Sequence, residues 1–125
     1  MTVHHIAIIC SDIERSKKFY IDIFGCTIRA EHFRAERNSW KVDLAIDENI
    51  YLELFTFPDA AARPSYPEAM GLRHLAFGTT DIHAEHTRIK DLGVSCEDIR
   101  TDIYTGKQFF FFSDPDGLPL ELYSL

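Results

Sequence analysis

Two histidines and two glutamates in this chain recur at matched spacing. His5 and Glu53 are 48 positions apart; His74 and Glu121 are 47 apart. Each histidine opens a His-x-Ala step (His5-Ile6-Ala7 and His74-Leu75-Ala76), and an aspartate, Asp12 or Asp81, follows it seven residues later. Each glutamate sits between two leucines, in Leu52-Glu53-Leu54 and Leu120-Glu121-Leu122. Imidazole nitrogen and carboxylate oxygen are the donors that bind a borderline divalent cation, and two of each make a candidate metal site. A donor pattern repeated this closely predicts two copies of one structural unit.

The elements around the four residues repeat in the same order. Val3 to Cys10 is a short apolar run with β-branched residues, as in a buried strand. Ser11-Asp12 offers an N-cap; Ile13, Ser16, Tyr20, Ile23 and Phe24 follow at helical spacing, and Gly25 supplies a stop. An extended stretch from Cys26 to Phe33 precedes a charged turn, and Trp40 to Ile46 alternates apolar and polar with strand period. Asp47-Glu48-Asn49 reads as a tight connection into a strand over Ile50 to Phe57. The second copy is expected to run as a strand over Arg73 to Thr79, then a helix capped by Asp81 with Ile82, Ile89 and Leu92 inward, stopped by Gly93. Extended segments over Val94 to Ile99, Gln108 to Phe112 and Leu118 to Tyr123 complete it. Residues 58–71, with Pro58, Pro64 and Pro67 and no period, form a linker between module one (1–57) and module two (72–125). The expected class is α+β, with two tandem βαβββ modules.

Strand parity assigns the faces. Side chains alternate across a strand, so Glu53 and Glu121 point away from their flanking leucines, and His5 shares a face with Ala7. Leucines beneath a helix on one side and ionisable groups beside small residues on the other satisfy both patterns. A carboxylate buried among leucines with no cation would be costly.

Bulk properties exclude several classes of partner. A formal net charge of -7 with no Lys/Arg cluster argues against nucleic acid and against anionic membrane surfaces. Cys10, Cys26 and Cys96 are odd in number and lack C-x-x-C spacing, so a disulfide framework or cysteine zinc site is not expected. The first residues lack a basic n-region, and no apolar run approaches the roughly 18 residues a membrane helix needs. A soluble protein of the reducing cytoplasm is expected.

The His-x-Ala strands, the capped helices, the aromatic strand Gln108 to Phe112, the turn Asp114-Pro115-Asp116-Gly117 and the terminal Leu-Glu-Leu together resemble the vicinal oxygen chelate superfamily. That superfamily includes glyoxalase I, bleomycin-resistance proteins, extradiol dioxygenases and methylmalonyl-CoA epimerase. The resemblance covers essentially the whole chain. It implies paired βαβββ modules forming a curved, cup-like mixed sheet, helices on its outer face, around a divalent metal. It also implies His5, Glu53, His74 and Glu121 as ligands, the His/Glu/His/Glu set of glyoxalase I. Zinc or nickel come first as the metal, with cobalt and manganese also admitted by such donors. The implied reaction is that of a lyase or isomerase on a small α-oxygenated carbonyl compound or its thiol hemithioacetal. Its enediolate is stabilised by a Lewis acid, with Glu121, or else Glu53, as base. Relatives are commonly homodimers, some sharing each site between two chains.

The resemblance has a gap: Ile9 and Phe57 stand where glutathione-using enzymes carry arginine and asparagine. Other enzymes of the superfamily, an epimerase or a dioxygenase, and a non-catalytic bleomycin-resistance-like binder are the alternatives. Arg34, Arg37, Lys41, Tyr104 and Lys107 are cationic or polar groups available to an anionic substrate. His4 rivals His5, but parity and the spacing to Asp12 favour His5. His83 and His86 are expected on a solvated helix face, Cys10 as a buried strand end, and Asp114 and Asp116 as turn residues.

Overall fold

A computed structural model describes residues 1–125, which divide into two compact units, Met1–Ala62 and Arg63–Leu125. The division falls within the proline-bearing stretch 58–71.

In the first unit, β1 (His5–Ile9) leads into α1 (Ile13–Phe24), β2 (Thr27–Arg34), β3 (Ser39–Ala45) and β4 (Tyr51–Phe55), with one 3-10 turn at Ala35–Arg37. Sheet order is β1-β4-β3-β2, parallel between β1 and β4 and antiparallel elsewhere. Parallel pairing needs a long crossover, and α1, β2 and β3 provide it. Helix α1 starts where Asp12 accepts a hydrogen bond from the Arg15 amide at 3.0 Å. It ends at Gly25, whose φ of 67° is a left-handed conformation that only glycine adopts without strain. Ile13, Ser16, Tyr20 and Ile23 form its buried stripe. Under it lie Ile8, Val42, Leu44, Leu52 and Leu54, all buried. The Asp47 carboxylate accepts from the Asn49 and Ile50 amides at 2.7 and 2.8 Å, making the expected tight connection between β3 and β4.

The second unit repeats the plan with β5 (Leu75–Thr79), α2 (Ile82–Asp91), β6 (Arg100–Thr101), β7 (Gln108–Ser113) and β8 (Pro119–Ser124), in sheet order β5-β8-β7-β6. Asp81 caps α2 through the Ala84 amide at 2.9 Å. Ile82, Ile89, Phe110, Phe112, Leu120 and Leu122 are its core. Asp114 Oδ1 accepts from the amides of Asp116 and Leu118, and Gly117 takes a φ of 84°, so the acidic turn is built as a turn.

Three local expectations change. The strand expected over 94–99 is reduced to one bridge, Cys96 to Phe112, with the regular pair displaced to Arg100–Thr101. Leu92 lies beyond the last turn of α2 and is exposed, because the helix ends before its apolar stripe reaches that position. His86 is not simply solvated: its Nε2 is 2.8 Å from the Glu97 carbonyl and its ring meets Phe110 edge-on. Two helices and two four-stranded mixed sheets thus form tandem βαβββ units. No helix is long and apolar enough to cross a membrane.

Candidate metal centre

Each unit brings its histidine to its glutamate. His5 opens β1, and β1 lies parallel to β4 with Ala7 level with Glu53. His5 Nε2 lies 3.8 Å from Glu53 Oε2. In the second unit His74 immediately precedes β5, Ala76 is level with Glu121, and His74 Nε2 lies 3.1 Å from Glu121 Oε2. Parity separates the faces as expected. Leu52, Leu54, Leu120 and Leu122 are at most 5% exposed, whereas the Glu53 and Glu121 side chains keep 17% and 12% and the histidines 43% and 34%.

Both pairs suit a divalent ion by donor type and spacing. Donors about 2.1 Å from a cation lie roughly 3.0 Å apart at a right angle and roughly 3.4 Å apart at a tetrahedral one. The 3.1 Å pair falls in that window, and the 3.8 Å pair needs only a small side-chain closure. The chain contains no group of three or more His, Cys, Asp or Glu side chains placed to hold a metal ion. The four predicted ligands are therefore two pairs, His5 with Glu53 and His74 with Glu121.

The surroundings of the pairs differ. In the first unit, His4 and His5 share a 2.9 Å contact between their Nδ1 atoms, which leaves His5 Nε2 facing Glu53. The two rings meet edge-on, their centroids 5.2 Å apart. Asp43 is level with Glu53 across β3 and β4, and Lys41 with Phe55. The Lys41 ammonium lies 3.2 Å from Glu53 Oε1 and also pairs with Asp43. Burial works against that ammonium, but hydrogen bonds to the Asp43 and Glu53 carboxylates outweigh it and hold its pKa above the ordinary lysine value. In the second unit the corresponding partner of Glu121 is Phe111, whose ring meets His74 edge-on at 5.1 Å. Glu121 has the His74 imidazole beside it and no ammonium.

Of the other polar groups named from sequence, Arg34 packs its guanidinium over Phe55 and Phe57. Tyr104 is exposed in the β6–β7 loop. There Asp102 accepts from the Tyr104 amide and the Tyr123 hydroxyl, and these bonds, the backbone one foremost, hold its carboxyl below the ordinary range. Asp43 was not singled out from sequence. The hairpin offered the signal for Asp43, because pairing symmetric about Glu48 sets residue 43 opposite 53.

The model of the glyoxalase/bleomycin resistance protein/dioxygenase superfamily matches residues 2–122. The chain belongs to that superfamily. It is 56% identical over 121 residues to YaeR of Escherichia coli (strain K12), covering 97% of this chain and 94% of that one. It resembles the crystal structure of the glyoxalase family protein from Enterococcus faecalis, with a TM-score of 0.91 and 43% identity over 98% of this chain and 96% of that one. At the level of fold alone, it resembles the fosfomycin resistance protein FosX from Listeria monocytogenes, crystallised with Mn(II) and sulfate ion. There the TM-score is 0.76, at 20% identity over 99% of this chain and 92% of that one. The superfamily's name includes glyoxalases and dioxygenases, which are enzymes, and the FosX protein of similar fold was crystallised in complex with Mn(II).

Proposed function

We propose that the chain is a metal-dependent lyase or isomerase of the glyoxalase I type. It would act on a small α-oxygenated carbonyl compound or its thiol hemithioacetal. His5, Glu53, His74 and Glu121 would be the ligands, and zinc or nickel ahead of cobalt or manganese the metal. The observation that carries this is the duplicated imidazole–carboxylate pair, set on the sheet face opposite the core in both units. As in relatives that share each site between two chains, we place the complete site in a homodimer, the His5–Glu53 pair of one copy facing the partner copy's second pair.

A divalent ion held there would supply Lewis-acid stabilisation of negative charge on the substrate's adjacent oxygens. The chain's own part is positioning and proton movement. Glu121 is the better base: it has no ammonium beside it, whereas the Glu53 charge is already shared with Lys41. Glu121 would take the proton from the carbon bearing the hydroxyl and return it to the adjacent carbon, so the isomerisation needs no oxidant or reductant. Its neighbour Phe111 offers no competing hydrogen-bond donor. Ile9 and Phe57 give apolar surface where glutathione-using enzymes place polar groups, and a thiol other than glutathione fits that lining better.

The test is metal analysis of freshly purified protein, then turnover of methylglyoxal hemithioacetals made with several thiols, alongside catechols and acyl-CoA esters. Stoichiometric metal and hemithioacetal turnover lost in Glu121→Gln are expected. Metal-free protein with no thermal shift on adding Zn²⁺ or Ni²⁺ would overturn the proposal, and turnover of a catechol or acyl-CoA ester would move it to a dioxygenase or epimerase.

A further inference from the structure

The donor face of the first unit carries two cations that a metal centre does not need. Lys41 stands one diagonal step from Glu53, its Nζ 3.2 Å from Glu53 Oε1. Arg34 ends β2 opposite Ser39, and its Nη2 donates to the Ser39 hydroxyl at 2.7 Å. The two cations flank one ring. Arg34 Cζ is 5.0 Å and Lys41 Nζ 5.9 Å from the Phe55 centroid, with Phe57 a further 5.5 Å contact of Arg34.

Arg34 is the unusual member. No carboxylate pairs with it, and its Nε is buried with no hydrogen-bond partner. A guanidinium offers five N–H donors, and leaving a buried one unmet is unfavourable. Two aromatic faces and one hydroxyl offset the cation only in part. Lys41 does have carboxylates, but one of them is Glu53. A carboxylate that gives its charge to a divalent ion has less to give to an ammonium. With a divalent ion at Glu53, this face would therefore hold an excess of positive charge that its own residues do not balance.

The second unit sharpens the contrast. Where the first has Lys41 and Asp43, the second has Phe109 and Phe111, level with Tyr123 and Glu121. Its own stacked cation, Arg100 over Phe109 and Phe111, is already matched by Glu97 at 2.7 Å. Duplication alone would give both units the same face, so the cationic pair is particular to the first.

We propose that Lys41 and Arg34 form an anion subsite beside Glu53, so that the substrate carries an oxyanion, a carboxylate first, adjacent to the oxygens it presents to the metal. This deepens, and rests on, the metal-dependent function proposed for that face. Lys41 and Arg34 are specificity-determining residues in this assignment, and an α-oxo or α-hydroxy acid is the substrate class it favours.

The experiment is equilibrium binding of pyruvate and, separately, methylphosphonate to full-length protein, Ni²⁺-loaded and EDTA-treated, at two ionic strengths. Variants are Lys41→Gln, Lys41→Arg, Arg34→Gln and, as a control outside the subsite, Arg100→Gln. Nickel binding to each is measured in parallel. Expected are salt-sensitive binding, pyruvate tighter than methylphosphonate, and at least fivefold weakening in Lys41→Gln and Arg34→Gln. Lys41→Arg should be partly restored and Arg100→Gln unchanged, with nickel binding retained throughout. Tighter methylphosphonate would keep the subsite and move its substrate class to phosphonates. No binding of either anion to the wild type, or weakening below fivefold in either Lys41→Gln or Arg34→Gln, overturns the subsite. Failure of the wild type to bind nickel overturns the metal reading instead, while anion binding to EDTA-treated protein still reports on Lys41 and Arg34.

Discussion

Two adjacent residues of β8 test whether the sheet's faces divide structure from chemistry. Leu120 is fully buried, level with Leu75 on one side and Phe112 on the other. Glu121, one position on, points the opposite way towards His74. Truncating Leu120 to alanine removes the equivalent of three methylenes, about 2.4 kcal/mol of transfer free energy at ~0.8 kcal/mol each. The cavity left among β5, β7 and α2 adds to that, giving about 3–5 kcal/mol in total. For a chain of this size that corresponds to a fall in melting temperature on the order of 10 °C or more. Glu121→Gln keeps the shape and changes one partly exposed contact with the His74 imidazole, so its cost should be under about 1 kcal/mol. The two changes should reverse in a nickel titration. Leu120→Ala, measured where it is still folded, should keep affinity within a few-fold. Glu121→Gln should lose more than the roughly 10–100-fold that an outer-shell partner alone can cost. Urea unfolding and calorimetric titration of the two variants at one protein concentration make the comparison. Should Glu121→Gln prove the more destabilising, or folded Leu120→Ala lose the metal as completely, the division of faces is wrong.

Mixing a His5→Gln/Glu53→Gln variant with a His74→Gln/Glu121→Gln variant should restore one complete metal site per mixed dimer, read as nickel bound per chain; no recovery after subunit exchange would place the site elsewhere. Asp12→Ala and Asp81→Ala should each cost about 1 kcal/mol in denaturant unfolding, since each leaves a first-turn amide without its acceptor. Burial pushes the Cys26 thiol up to about 11, so at pH 8 only about one in a thousand is thiolate. A thiol reagent at that pH should therefore reach half-buried Cys96 first, and Cys26 only after denaturation; rapid native labelling of Cys26 would contradict its burial. The same shift carries a stability sign. The unfolded thiol ionises near the ordinary value of 9.0 while the folded one holds its proton. Its contribution is complete below pH 9 and is lost as pH rises towards 11.

The fold was legible in the sequence because its signals are local and occur twice. Asp12 and Asp81 each cap a helix seven residues beyond a histidine, and the leucines around Glu53 and Glu121 declare the buried face without any neighbouring strand. What stayed hidden depends on register between strands. Arg100–Thr101 pairs where Val94 to Ile99 was expected, because residues 94–99 hold only the Cys96 bridge to β7, a contact that no alternation in the segment announces. That the His4 and His5 imidazoles meet nitrogen to nitrogen is likewise something sequence distance cannot show.

The closeness of the duplication gives the differences their meaning. Each unit needs the capped helix, the leucine layer and the parallel pairing of its first and last strands to fold, and these are the features the two copies share. The histidine and glutamate are also shared, although neither is required by the core. On the same face, the positions beside the glutamate are free of both constraints, and there the copies part company: Lys41 and Asp43 in one, Phe109 and Phe111 in the other. A metal site alone would not require that asymmetry, because matched pairs serve a cation equally well from either side. A substrate with one charged and one uncharged end would, since its two ends need different walls.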